Sequence, residues 1–518
     1  MRIRTVAMAI AIGLALDLTS IIAWAEPSFR MVAFAVIIAA MAVATFQNFQ
    51  YGFAIMLGEL VLGSHGRLFS IDIAGADITL RMGLFAVIVM AATYQLLDRR
   101  NRHELRFAFT ALPFRWPLIA LFATTAIGFV IGFLRHPFGI VYPDANAWGF
   151  LLLIPIALLM VVTASHGAEA NSAIQKTNPS DFLNTVFLAA IAYLIFRTYL
   201  LIFAFSHDLG GLWFPLYHWI RDVRLGEITI FPGGFPRVFL PSMVLLFPAI
   251  ALAGWRAANE QTKLPRLVAL TIVGGSVAVL VMSLSRSYWA AGAALLVLGI
   301  IWRVIRVNGA WLHFILQFSI RLFARIGEWK IIEPKPPLPR RLLFKFAISA
   351  IIGLVLAIAI IRIPWPAPLT SVGVGASFFG RFALDEPAAA SRWQQLGPLR
   401  DAIVTHPFFG NGYGATVSYR SLDPRALASS SGGWYTTYAF EWGYLDHLLE
   451  TGIIGLAALV WLLVTLVWQG IRRGGSTAAW TIGLLAIAFV HVASPYLNHP
   501  LGLGVLAVVI GQLAVHRE

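Results

Sequence analysis

From Leu267 to Met282 the chain runs without a charge, then reads Ser283-Leu284-Ser285-Arg286-Ser287-Tyr288-Trp289, and turns apolar again from Ala290. Each flanking run approaches the roughly 20 residues that a helix needs to cross a hydrocarbon core. In lipid every backbone N–H and C=O must be satisfied within the chain, so only helices or closed barrels span it. Apolar runs this continuous predict helices. The same pattern recurs from end to end, near 5–24, 31–46, 51–63, 82–98, 116–134, 148–164, 182–205, 238–255, 267–284, 288–305, 344–363, 446–470, 477–493 and 499–515. The expected fold is an all-α polytopic membrane protein with about fourteen transmembrane helices. Segment 51–63 is short and contains Glu59, the signature of a tilted or re-entrant piece.

Composition agrees. Of 518 residues, 59% are hydrophobic and only 12% charged, against about 25% charged in an ordinary soluble protein. The net charge of +14 is a topology signal in such a chain and does not imply a nucleic-acid partner. There is no cysteine, which removes disulfides, iron–sulfur clusters and thiolate zinc sites from the possible chemistry. No repeat of fixed period is visible.

Charge and parity set the expected orientation. With the N-terminus in the cytoplasm, segments 99–115, 256–266, 303–343 and 471–476 lie inside, and the C-terminus does too. The first holds Arg99, Arg100, Arg102, Arg106 and Arg115; the third holds Arg303, Arg306, Arg321, Arg325, Lys330, Lys335, Arg340 and Arg341. All five lysines, Lys176, Lys263, Lys330, Lys335 and Lys345, fall inside or at the inner border. Met1 to Glu26 has signal-peptide features, with Arg2 and Arg4 before an apolar run, and is read as a first transmembrane helix. The chain then divides into N-terminal transmembrane helices (1–266), a helix pair carrying Arg286 (267–305), a basic cytoplasmic loop (306–343), one helix (344–363), a periplasmic loop subdomain (364–445) and C-terminal transmembrane helices (446–518). Within the basic loop, Trp311 to Arg325 reads as a helix on the inner membrane surface, followed by a proline-rich linker at 333–339.

The residues that can do chemistry fall on the outer side. Arg286 closes a span, and an arginine so near hydrocarbon either faces a cavity or anchors the interface beside Tyr288 and Trp289. Its guanidinium fork suits phosphate oxygens. Residues 391–406 carry an apolar stripe of Trp393, Leu396, Leu399, Ile403 and Val404, with Arg392, Arg400 and Asp401 off it. Gly397-Pro398 is expected to break this segment into two short helices. His406-Pro407 ends it, and Gly410, Gly412 and Gly414 follow, a spacing that serves a tight turn or close backbone approach. Trp434 to Trp442 is aromatic-rich and leads through Glu441 into span 446–470; aromatics there form a membrane belt or stack on sugars. Glu441 is either a solvated or paired carboxylate or a general base. His447 and Glu450 share a helix face, too few ligands for a metal site.

The order of these segments resembles the bacterial O-antigen ligase and polysaccharide polymerase superfamily over about 267–494: Ser283-Leu284-Ser285-Arg286-Ser287 after a span, then Arg392, His406-Pro407-Phe408-Phe409-Gly410-Asn411-Gly412, then Tyr444-Leu445 and Glu450-Thr451-Gly452-Ile453-Ile454-Gly455 opening a span. The resemblance implies a GT-C-like, inverting, metal-independent glycosyltransferase without cofactor, at the outer face of the bacterial inner membrane. Its donor would be a glycan on undecaprenyl diphosphate, with membrane lipid and other polysaccharide-assembly proteins as neighbours. Arg286 and Arg392 match the arginines that hold the diphosphate; Arg400, His406, Gly410, Gly412, Tyr444 and His447 are supporting positions. Ligases carry histidine where this chain has Glu441, the expected catalytic base, which tilts the reading toward a polymerase of lipid-linked repeat units for O-antigen or exopolysaccharide. The alternatives are a ligase that moves the finished glycan to a lipid or protein acceptor, a flippase for the lipid-linked unit, given Asp17 and Glu59 within spans, and a non-catalytic scaffold.

Overall fold

The computed structural model describes residues 3–73, 76–167, 179–231, 234–307, 340–369, 375, 387–421, 427–428 and 431–514. The basic surface helix and linker expected at 311–339, Lys176, and parts of 364–445 lie outside the described residues. Among the described residues the fold is helical, with three two-stranded antiparallel hairpins as its only sheets. Among the described residues, nine helices are long and apolar enough to cross a membrane: Ile3–Ala25, Pro27–Gln47, Arg115–Arg135, Phe138–Ala164, Pro179–Ser206, Pro241–Asn259, Lys263–Met282, Arg341–Ile361 and Gly443–Arg473. A tenth is added if Leu80–Gln95 and Arg99–Thr110, bent by 104°, count as one. This is the architecture of a polytopic membrane protein.

The shorter apolar helices have physical reasons for their length. Pro500–Ala514 is buried on every side through Leu513, as a helix that is hydrophobic all round must be. Phe49–Leu62, with 14 residues, reaches roughly 21 Å. Its Glu59 is not adrift in lipid: Arg81 Nε and Nη2 donate to its two oxygens at 2.8 and 3.2 Å, and Nη2 also donates to Ser64 O at 2.7 Å. Asp17 is held the same way, with Arg197 Nε and Nη2 at 2.8 and 2.5 Å and the Tyr193 hydroxyl on the same carboxylate. Removing one partner from such a buried pair typically costs about 3–5 kcal/mol.

Two expectations are corrected. Segment 99–110 is a helix, not a loop: Asp98 caps it by accepting from Arg100 N at 2.9 Å, and its arginines cannot follow the preceding helix through hydrocarbon, so the chain bends. Residues 387–405 form one helix, Pro387–Thr405, with Pro398 inside it. Pro398 lacks the N–H that would bond back to Gln394, but Gly397 before it has no Cβ to clash with the proline ring.

The hairpins Ser70–Ile73/Ala76–Thr79, Glu227–Ile230/Pro236–Phe239 and Val417–Arg420/Trp434–Thr437 gather with short helices at one end of the bundle. Cross-links tie this end together: Asp208 N donates to Ala367 O at 2.8 Å and Leu369 N to Ser206 O at 2.9 Å. Trp219 Nε1 donates to Ser20 Oγ at 3.1 Å, and Ser20 Oγ to Leu68 O at 2.7 Å.

The helix Gly443–Arg473 is broken at Gly452, where φ is 67° and ψ −172°. The break unhooks the helical bonds from Ile453 and Ile454 to Leu449 and Glu450. The turn 406–414 replaces both: Asn411 N and Gly412 N donate to Leu449 O and Glu450 O at 2.7 and 3.0 Å, while Ile453 N and Ile454 N donate to Pro407 O and Phe408 O at 2.8 and 3.3 Å. Gly410, Gly412 and Gly414 have φ of 74°, 82° and 83°, open only to residues without a side-chain penalty. A Cβ on Gly412 would lie 2.2 Å from Gly132 N. Gly412→Ala is therefore expected to lower stability by roughly 2–5 kcal/mol, from the left-handed backbone and the overpacking together. Thermal unfolding in detergent measures this, and an unchanged midpoint would mean that the turn is not seated in the break.

Candidate functional site

Helix Pro387–Thr405 is seated by Leu399, which is fully buried with Ala415, Val417, Phe440 and Leu449 in a small apolar cluster separate from the main core. Gln395 Nε2 donates to the Tyr419 hydroxyl at 2.9 Å, and Ser391 Oγ lies 2.9 Å from Ser421 Oγ, fixing the helix on its hairpin. This seating brings Arg392 against Glu441, which lies in the link between strand Trp434–Thr437 and the broken helix. The two side chains form an ion pair, 35% and 48% exposed. Two residues forty-nine positions apart, selected for anion binding and for proton transfer, are thus in contact. Trp442 Nε1 donates to Arg392 O at 2.9 Å, and the Trp393 and Trp442 rings are 5.4 Å apart.

Arg286 starts the helix Arg286–Val307 and is half-buried. The turn before it is tight: Leu284 has a φ of 51°, a region a branched side chain occupies only when its surroundings hold it there. Those surroundings are polar. Arg237 Nε donates to Ser283 O at 2.8 Å, Ser285 Oγ lies 3.1 Å from Ser287 Oγ, and the Tyr288 and Tyr496 hydroxyls are 2.7 Å apart. Burial pushes the Tyr496 phenol above its ordinary range, so it stays protonated and shares its hydrogen bond. Arg237 is a residue that the sequence reading passed over. Its side chain is only 14% exposed, and Glu227 approaches no closer than 4.0 Å. The available signal was an arginine in a polar segment just before a span.

The turn 491–499 links the two halves. Gly443 N donates to His491 O at 3.1 Å, and Ser494 Oγ donates to Ser287 Oγ at 3.1 Å. Glu441 and Arg286 are each within two positions of one of these bonds, so both are positioned by the same short segment.

The supporting residues hold the scaffold and do not join the ion pair. Arg400 pairs with Asp401 at 2.8 Å with its side chain 76% exposed. His406 Nδ1 meets Asn411 Oδ1 at 2.8 Å inside the turn. Gly410 and Gly412 form that turn, and the Tyr444 hydroxyl donates to Ala488 O at 2.9 Å. His447 is fully buried, its ring 5.1 Å from Trp148.

Beneath the turn lie three carboxylates unforeseen as a unit, half-buried Asp144 and buried Asp446 and Glu450. Asp144 Oδ2 accepts from Gly414 N at 2.6 Å, and Asp446 Oδ2 accepts from Asn498 Nδ2 at 2.8 Å. Glu450 is also buried, with Tyr413 packed between Gly128 and Trp148. Among the described residues no three histidine or carboxylate side chains are placed to hold a metal ion.

No protein-family model and no curated protein matches the chain. The fold defines the class, a multi-pass helical membrane protein with an arginine–glutamate pair at one end of its bundle.

An ion pair this exposed contributes about 0–1 kcal/mol. Arg392→Ala and Glu441→Gln should each shift stability by no more than about 1 kcal/mol, read as an unfolding midpoint in detergent close to that of the unaltered protein. A collapse of the fold in either variant would assign the pair a structural role.

Proposed function

We propose that the chain is a membrane glycosyltransferase that polymerises undecaprenyl-diphosphate-linked oligosaccharide repeat units at the outer face of the bacterial cytoplasmic membrane. The observation that carries this reading is the Arg392–Glu441 pair, joined through the turn 491–499 to the segment of Arg286 and Arg237. In this reading the shorter apolar helices Phe49–Leu62, Arg286–Ile301, Gly475–Val490 and Pro500–Ala514 also serve as membrane segments, both termini are cytoplasmic, and 364–445 forms the periplasmic subdomain.

The weakness of the pair gives it a mechanism. A diphosphate brings more negative charge than one carboxylate, and guanidinium forks bind phosphate oxygens in two places. The donor takes Arg392, with Arg286 and Arg237 completing the cationic cradle, and Glu441 is released. The released carboxylate accepts the proton of the acceptor hydroxyl as its oxygen attacks the anomeric carbon from the side opposite the diphosphate. The bond from that carbon to the diphosphate oxygen breaks with inversion, and the arginines stabilise the charge that gathers on the leaving group. Asp17 and Glu59, the intramembrane charges that would serve a transporter, are each locked to an arginine, which supports the enzyme reading over a flippase.

Arg286→Ala and Arg392→Ala should abolish glycan transfer in protein that is still inserted and abundant. Full activity in both removes the diphosphate role. Glu441→Gln should lower kcat by roughly 10²–10⁴-fold with donor binding kept; a neutral result gives the proton to another group. Surface and lipid-linked glycans run on a gel, with and without the gene, decide the reaction. Single repeat units in place of a ladder mark a polymerase. Long chains retained on the carrier mark a ligase, and loss of all outer-face glycan marks a transporter.

A further inference from the structure

The residues around the ion pair are doubled. Arg392-Trp393 on one element faces Glu441-Trp442 on the other: the charged side chains pair, the two indoles lie 5.4 Å apart at 56°, and Trp442 Nε1 holds Arg392 O. Trp442 is half-buried and packs on the small apolar cluster, so it is fixed. Trp393 is braced against it yet remains 62% exposed. An exposed indole, next in sequence to a guanidinium that pairs with a carboxylate, offers the two kinds of surface that a pyranose ring presents. The C–H face of the sugar suits the aromatic surface, and its hydroxyl edge suits the carboxylate, a strong acceptor.

We propose that Trp393, braced by Trp442, is the platform on which one sugar ring of the glycan acceptor rests, with its hydroxyl edge toward Glu441. This rests on the glycosyl-transfer reading above and adds to it a subsite and the chemistry it recognises. The platform delivers the acceptor hydroxyl to Glu441, so its loss acts on binding.

The test uses the full chain in lipid nanodiscs, with Trp393→Leu and Trp393→Phe. Leucine keeps an apolar side chain for a membrane surface and loses the flat face; phenylalanine keeps the face. The probe is the repeat-unit oligosaccharide cleaved from the cell's own polysaccharide, followed by saturation-transfer NMR, with transfer kinetics measured beside it. Trp393→Leu should lose the saturation signal and raise KM for the acceptor about tenfold at unchanged kcat, equivalent to about 1.4 kcal/mol, while Trp393→Phe keeps most of both. A leucine variant with unaltered signal and KM overturns the platform and leaves Trp393 as an interfacial anchor. If the leucine variant loses the oligosaccharide while Arg392→Ala and Glu441→Gln transfer normally, the platform stands and the catalytic assignment falls. If those two variants are inactive and the leucine variant is normal, the reverse holds.

Discussion

Four backbone hydrogen bonds with the turn 406–414, replacing two helical ones broken at Gly452, tie together the elements that carry Arg392 and Glu441. A buried N–H or C=O without a partner is costly, and Leu449, Glu450 and Thr451, just before Gly452, are buried, so the interruption there needs other backbone to fill it. The turn 406–414 does so with both donors and both acceptors. Everything around the ion pair depends on that insertion. The turn fixes where helix Pro387–Thr405 ends, hence where Arg392 lies, and the broken helix fixes where Glu441 enters.

The charged pairs divide by what their surroundings make them worth. Asp17–Arg197 and Glu59–Arg81 are almost wholly buried, and loss of one partner there leaves a stranded charge. Arg392–Glu441 is 35% and 48% exposed, so water screens it and loss of one partner leaves a solvated charge. The first kind suits a scaffold and the second a binding site. The separation of the two, with the locked pairs among the N-terminal helices and the exchangeable pair in the C-terminal half, is the main argument against a charge-relay pathway through the bundle.

Much of the helical framework was legible in the sequence because hydrocarbon thickness imposes run length. The runs read at 116–134 and 182–205 are the helices Arg115–Arg135 and Pro179–Ser206, and the glycine spacing at 410–414 is the tight turn it suggested. Gly452 was not legible as a break, because a single glycine in an apolar run is common in membrane helices and its partner turn lies about forty positions upstream. Arg237 went unread because its contact with Ser283 spans forty-six positions and exists only in the fold. Pro398 misled because Gly397 before it offers no Cβ to clash with its ring, and buried Leu399 holds the helix across the one missing bond. The ion pair itself was readable only as two separate candidates, since pairing across forty-nine positions depends on how the intervening hairpin turns.

The break at Gly452 also has a built-in alternative. The carbonyls of Leu449 and Glu450 and the amides of Ile453 and Ile454 are each other's natural helical partners, four residues apart. Withdrawal of the turn would let the helix close its own gap and leave no orphaned group on its side. Only the turn would then need new partners, and at the bundle end water can provide them. The joint beside Arg392 and Glu441 is therefore asymmetric: the helix has partners of its own within reach, and the turn depends on the helix.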